Sequence, residues 1–392
     1  MAMIEASRSP RAVARAELVG SLLRNDRLTE QIGKLYDGHT TAVRPLVLSE
    51  RPTAVADFNR IADQTIVELL KRQIDAGLDV VTDGEVRRTS FLSSFYDAVE
   101  GLAEPAEMMA VHDEDGDVIY EGFNDPVVAS RLHKAYGPAA EEATYMRSVV
   151  DYPFKITVPA PSYYFLDFVP IKNTSYASKL EFVEDATEIT KAIIAEAIAA
   201  GARWIQFDFP VYPSLVATST SDWGTMLQEV GESTDWLLDK ALAVDSAVTR
   251  DIPADVTVAL HLCRGNLPGG FWSGSLAPIA ERIFTELPHQ RFLFEWEDVG
   301  REGDYEPIRH VPKGKIMAMG IVSTKTPVLE GDDEIVRRLD EASKYLDMSQ
   351  LALCPQCGFA SLYSDHLVEA EDTQWRKLEL VGRVAERVWG GA

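Results

Sequence analysis

Short runs of β-branched and aromatic residues recur along the chain, each followed by a longer stretch in which apolar residues return every three or four positions. The runs predict strands at 18–21, 79–83, 154–158, 204–208, 256–261, 292–296, 316–321 and 351–354. The stretches between them predict amphipathic helices at 56–76, 180–200, 235–249, 276–286, 333–346 and 373–388. In the first of these, Phe58, Ile61, Ile66, Leu69, Leu70 and Ile74 share one helical face. Ala76-Gly77 and Ala200-Gly201 read as helix C-caps placed just before strands. Eight strands alternating with helices predict an α/β protein, a single parallel (β/α)8 barrel. A doubly wound open sheet is the rival, and no glycine-rich nucleotide turn follows any strand to favour it.

Residues 86–152 break the alternation, because they far exceed one loop and one helix. Within them 110–112 and 118–120 flank the acidic run 113–117, whose Asp115-Gly116 step predicts a hairpin turn. The expected organisation is a flexible N-terminal arm, 1–16, and a catalytic barrel, 17–392, with the insertion 86–152 lying over one barrel face after the second strand.

Composition narrows the function classes. The 392 residues carry 38 Lys and Arg against 62 Asp and Glu, a net charge of −24. That charge disfavours nucleic acid, which needs a basic face, and an anionic membrane surface. An apolar content of 46% with 26% charge is that of a folded globular chain. No apolar run reaches the roughly 20 residues of a membrane span, and the first residues lack the apolar centre of a secretory signal. Three cysteines are too few for a disulfide framework, so a reducing cytoplasm is the expected location and thiolates there are available for metal or chemistry.

Candidate chemistry begins at His261-Leu262-Cys263, at the end of the predicted fifth strand, where side chains two apart share a face. Cys354-Pro-Gln-Cys357 follows the eighth strand and Phe294-Glu-Trp-Glu-Asp298 ends the sixth. In a barrel these ends converge on one mouth and could offer a His nitrogen, Cys sulfurs and a carboxylate, a donor set that suits zinc. The same residues also admit a buried His beside an inert Cys, a zinc knuckle, or a thioredoxin-like CxxC. The knuckle lacks its second Cys pair, and no βαβ unit opens a helix at the CxxC.

Seven pieces in order resemble the catalytic half of cobalamin-independent methionine synthase, a uroporphyrinogen decarboxylase-like barrel, and above all its short single-barrel bacterial members. They are Leu18-Val-Gly-Ser-Leu-Leu-Arg24, Val80-Val-Thr-Asp-Gly-Glu85, Ile205-Gln-Phe-Asp208, His261-Leu-Cys-Arg-Gly-Asn266, Phe294-Glu-Trp-Glu-Asp298, Gly320-Ile-Val-Ser-Thr-Lys-Thr-Pro327 and Cys354-Pro-Gln-Cys-Gly-Phe-Ala-Ser361. The resemblance implies zinc held by His261, Cys263, Glu295 and Cys357, with Glu297 as the fallback carboxylate and Cys354 outside the set. Trp296 and Asp298 should then point away from the metal. It also implies that Glu85 and Asp208 grip the amino group of a thiol amino acid, that Ser21 holds its carboxylate, and that Lys325 stands where the family has a proton-donating His. Arg87 and Arg88 either grip an anionic substrate tail or form a solvated basic pair.

The implied activity is zinc-dependent methyl transfer to a thiol, with homocysteine as acceptor and a second small molecule as methyl donor. Folate as donor fits less well, because Phe209 and Ser214 occupy places where folate-using relatives have acidic residues, and Tyr163 or Tyr164 would have to replace a pterin-stacking Trp. The alternatives are a thiol alkyltransferase using another electrophile, such as an epoxide:coenzyme M transferase or a demethylase, and a zinc-binding barrel without turnover.

Overall fold

The computed structural model describes residues 3–35, 52–103, 109–112, 118–123, 126–166, 175–218, 232–266, 272–362 and 371–390. Its strands run in chain order as β1 (Val99–Ala103), β2 (Met109–His112), β3 (Val118–Phe123), β4 (Val127–Lys134), β5 (Ile156–Pro159), β6 (Trp204–Asp208), β7 (Thr257–Leu262), β8 (Arg291–Glu295), β9 (Ile316–Val322) and β10 (Leu351–Pro355). Strands β5 to β10 form one parallel sheet in sequential order.

Two further segments close that sheet. Ala16 pairs with Leu353 of β10, Glu17 with Val80, and Val81 with Phe154 ahead of β5, all parallel. The result is the expected eight-stranded α/β barrel, with its first two staves held by single bridges rather than long ladders. The pairing falls at 16–17, slightly before the predicted 18–21. Beyond Glu17 the first stave instead uses its backbone at the mouth, where Leu22 N donates to Gly84 O and Phe359 N donates to Ser21 O.

Alternation along the staves fills the interior in layers. Glu17, Lys155, Gln206 and Arg291 make a buried polar layer. Val19, Ala259, Leu293, Ala318, Ala352 and Cys354 pack together as a small apolar cluster inside the barrel. The larger core lies between the staves and the outer helices, where residues such as Leu70, Ile193 and Val381 are buried.

The excursion 86–152 contains two antiparallel pairs, β1 with β4 and, within it, β2 with β3. The predicted hairpin is therefore present, while its acidic turn 113–117 lies outside the described residues. The same excursion also holds the barrel helix that the hydrophobic pattern does not reveal, Pro138–Val149. Its buried face is built largely of Ala139, Ala143, Met146 and Val149, a weak apolar stripe, but Pro138 at its first position is a helix-start signal. Helix Asp26–Leu35 is another addition, capped by the Asn25 side chain, which accepts from Leu28 N at 2.9 Å.

Over its described residues the N-terminal segment lies along the barrel. Ile4 N donates to Val149 O, and Arg8 and Arg11 both reach the buried Asp79 carboxylate. Among the described residues no helix is long and apolar enough to cross a membrane.

Candidate functional site

The C-terminal ends of β6, β7, β8 and β10 bring the chemistry to one mouth. His261 lies near the end of β7 and Cys263 just past it. There the Cys263 amide turns back to the His261 carbonyl at 3.1 Å, which ends the strand and keeps both side chains over the same space. Cys357 follows β10 by two residues. Donor atoms of His261, Cys263 and Cys357 all lie within 4.8 Å of one another, and all three residues are buried. The two sulfurs are 3.4 Å apart. A disulfide needs about 2.05 Å. Two sulfurs on a tetrahedral zinc, each about 2.3 Å from the ion, stand about 3.8 Å apart. The observed spacing is far from a disulfide and near a shared ion.

Glu295, the last residue of β8, adjoins the group, its Oε2 lying 3.2 Å from Cys357 Sγ. The same oxygen accepts from Arg264 N at 2.6 Å, and Oε1 pairs with the Lys325 ammonium. Burial would raise the Glu295 pKa, but Lys325 and the Arg264 N–H hold it below the usual carboxylate range. Glu297 Oε2 is 3.7 Å from Lys325 and accepts from Gln356 Nε2 at 3.2 Å. The Lys325 side chain is largely enclosed; desolvation pulls its pKa down, and the Glu295, Cys357 and Glu297 charges more than reverse that. The carboxylates that hold it are therefore Glu295 and Glu297. Glu330 is spent on Ser323 N and Lys377.

Cys354 sits elsewhere. Its sulfur is inside the barrel cluster, 3.8 Å from Ala318 O, and burial pushes its thiol pKa well up. Trp296 packs against Phe294 and Tyr305. Asp298 caps the short helix Val299–Glu302 through Arg301 N.

Register places Asp208 of β6 directly beside His261 of β7. Asp208 Oδ1 lies 3.2 Å from His261 Nδ1, and Nε2 lies 2.9 Å from the Gln356 carbonyl. Burial would lower the imidazole pKa, but Asp208 and the Cys357 sulfur push it up to about 10. A bound cation would reverse that balance and take the nitrogen lone pair.

Glu85 and Ser21 lie on adjoining walls. Glu85 Oε1 accepts from Thr157 Oγ1 at 2.5 Å and is 3.6 Å from Arg88. Burial raises its pKa; Asp208 and Glu142 add to that, and Arg88 and Thr157 oppose it. The Ser21 carbonyl accepts from Phe359 N at 2.9 Å, and its hydroxyl lies 3.4 Å from Ala360 N. Arg87 and Arg88 are neither a solvated pair nor ready to take an anion. Arg88 is buried and held bidentate by Glu142 at 2.8 and 2.6 Å, while Arg87 binds Asp63 and Asn59. Phe209 occupies a left-handed backbone conformation, φ 56°, and its ring stacks on Trp272 with centroids 5.3 Å apart, with Phe91 and Tyr163 against it.

Sequence reasoning missed three supports of this site. Thr157 holds Glu85. Gln206 donates to Asp208 at 2.9 Å. Asn266 ties loops together through Gly358 O, Ser361 and Thr324. Gln206 and Asn266 lie inside quoted motifs, so their signal was present; their partners were not.

Comparison with known proteins bears on the family and the fold. The chain is 29% identical over 381 residues to the uncharacterized protein YxjG of Bacillus subtilis, covering 96% of this chain and 94% of that protein. It is 22% identical over 313 residues to methionine synthase of Saccharolobus islandicus, covering 78% and 80% of the two chains. A B12-independent methionine synthase from Shewanella sp. W3-18-1, solved with selenomethionine, shares the fold at a TM-score of 0.72 and 18% identity, covering 97% of this chain and 99% of that one. The family model described as cobalamin-independent synthase, catalytic domain, matches residues 38–273, more than half of the sequence, and the chain belongs to that family.

Proposed function

We propose that the protein is a zinc-dependent thiol S-methyltransferase that methylates homocysteine or a close analogue. The observation that carries the reading is the buried group of His261, Cys263 and Cys357 donor atoms within 4.8 Å, with Glu295 against it at the barrel mouth. Two sulfurs, one imidazole and one carboxylate are a zinc set, and thiolates disfavour magnesium or calcium there. Zinc held by His261, Cys263, Cys357 and Glu295 would keep a substrate thiol deprotonated at neutral pH while leaving its sulfur nucleophilic.

The remaining residues act on the rest of the substrate. Glu85 and Asp208 are buried carboxylates close enough to raise the Glu85 pKa, and an ammonium group between them relieves that repulsion. The Ser21 hydroxyl, which accepts from Ala360 N, would donate to the substrate carboxylate. Lys325 supplies a buried cation beside the reacting atoms, either as the acid for the leaving group or as the anchor of an anionic donor. In Lys325→Met the first role lowers kcat by about 10²–10⁴-fold, while the second mainly raises KM and is partly rescued in Lys325→Arg. Phe209, stacked on Trp272, makes the donor side aromatic where folate users are acidic. That favours a donor other than folate and keeps an alternative electrophile as the second reading.

The test is zinc content joined to thiol consumption. We expect about one zinc per chain, lost in Cys263→Ser and Cys357→Ser and retained in Cys354→Ser, with homocysteine consumed in the presence of a suitable methyl donor. Loss of zinc in the Cys354 variant alone would overturn the ligand set. Consumption of thiol with epoxides but with no methyl donor would favour the second reading.

A further inference from the structure

Gln206 belongs to the Ile205-Gln-Phe-Asp208 motif, yet its side chain points into the barrel and touches no substrate-facing group except Asp208. It is fully buried. Three neighbours determine how its amide is turned. Lys155 Nζ, which can only donate, lies 2.7 Å from Oε1. Val19 O, which can only accept, lies 2.8 Å from Nε2. Asp208 Oδ1 lies 2.9 Å from the same nitrogen. A flipped amide would set nitrogen against an ammonium and oxygen against both a carbonyl and a carboxylate, so one orientation survives.

Lys155 is fixed in turn. Its ammonium also binds Glu17 Oε2 at 3.0 Å, and Glu17 Oε1 is held by Arg291 Nε at 2.5 Å. Arg291 reaches on to Ala14 O at 2.7 Å. A buried polar chain therefore runs from Arg291 through Glu17, Lys155 and Gln206 to Asp208, and ends at His261 Nδ1, 3.2 Å from Asp208 Oδ1.

We infer that Gln206, oriented by Lys155, is a positioning residue that fixes Asp208 and through it the ring of His261, a candidate metal ligand. The inference rests on the proposed metal reading and concerns affinity rather than turnover. Two donors meet on Asp208 Oδ1, Gln206 Nε2–H and His261 Nδ1–H, and together they fix the carboxylate and the plane of the imidazole. Ligating imidazoles that lose such support bind metal about 10–100-fold more weakly.

The experiment is titration of metal-free full-length protein with Co(II) and with Zn(II), read by the visible absorption of cobalt and by competition with a chelator. Gln206→Glu keeps the length and the Lys155 contact but turns an oxygen on Asp208. Gln206→Met keeps the length and donates nothing. We expect each to weaken both metals at least tenfold and to alter the cobalt spectrum. In an Asp208→Asn background the Gln206→Met change should cost less than twofold, since the path through Asp208 is already lost. Should Gln206→Glu fail to fold, Gln206→Met and the double variant decide alone. Variants that bind both metals within twofold of the parent, or a Gln206 effect undiminished by Asp208→Asn, overturn the inference and leave the metal reading standing. A parent protein that binds neither metal removes both.

Discussion

Gly20 and Gly358 leave no room for a side chain, and each vacancy serves a candidate substrate group. A Cβ on Gly20 would collide with Glu85 Oε1 and stand 3.1 Å from Thr157 Cγ2, while one on Gly358 would collide with the Ser21 hydroxyl. Glu85 cannot easily yield, because Thr157 and Arg88 hold the same oxygen. It also sits at φ 56°, a left-handed conformation that costs a non-glycine residue about 1 kcal/mol or more and tends to mark functional positions. We therefore expect Gly20→Ala to leave zinc per chain unchanged and to raise KM for the thiol amino acid at least tenfold. Metal analysis beside steady-state kinetics checks this, and an unchanged KM would remove Glu85 from substrate binding. The individual residues of this mouth were legible because motifs preserve type and spacing. What stayed hidden was pairing: Lys325 against Glu295, and Asp208 against His261, are set by strand register and loop path, which a one-dimensional pattern does not carry.

At the scale of elements, a buried ion pair links helix Pro138–Val149 to the loop at the barrel mouth. Glu142, on helix Pro138–Val149, holds Arg88 bidentate, and Arg88 NH1 donates to Thr157 Oγ1 at 2.9 Å. Because Thr157 accepts from Arg88, its own proton goes to Glu85. The helix thus helps set the direction of a hydrogen bond at the mouth. Removing one partner of a buried pair leaves a charge uncompensated, at a cost of about 3–5 kcal/mol. Glu142→Leu should lose stability of that order by urea unfolding, and Glu142→Gln, which can still accept one bond, distinctly less; equal small losses in both would show that Arg88 is satisfied without Glu142. The barrel staves were legible from sequence since buried parallel strands read as short β-branched runs. Helix Pro138–Val149 was not, because an alanine-rich face gives little hydrophobic contrast and a long insertion precedes it. Two-residue staves such as 16–17 are likewise too short to bound from pattern alone.

For the whole molecule, two buried groups outside the metal candidates tilt stability with pH in opposite directions. His289 is buried and, among the described residues, neither ring nitrogen has a hydrogen-bond partner; its ring is set edge-on to Phe207. Burial, aided by Lys315, pushes its pKa down to about 3 from an ordinary 6.5. The folded chain therefore refuses a proton that the unfolded chain accepts. Its contribution to stability is present above about pH 6.5 and is lost as pH falls toward 3. Asp245 behaves in the reverse sense. Burial pushes its pKa up to about 6, against the hydrogen bonds from Ser162 and Tyr212. Its contribution is present below about pH 4 and is lost as pH rises through 6. Each proton is worth at most about 1.4 kcal/mol per pH unit within its window. The net charge of −24 adds a broad pH dependence of its own, but that background is shared by variant and parent and cancels in their difference. The difference in unfolding free energy between His289→Phe and the parent should therefore move in favour of the variant as pH falls from 7 to 5. For Asp245→Asn it should move in favour of the variant as pH rises from 4 to 7. Variant and parent curves that run parallel across these windows would mean that the two groups titrate alike in the folded and unfolded chain, and that the packing around them does not exclude charge.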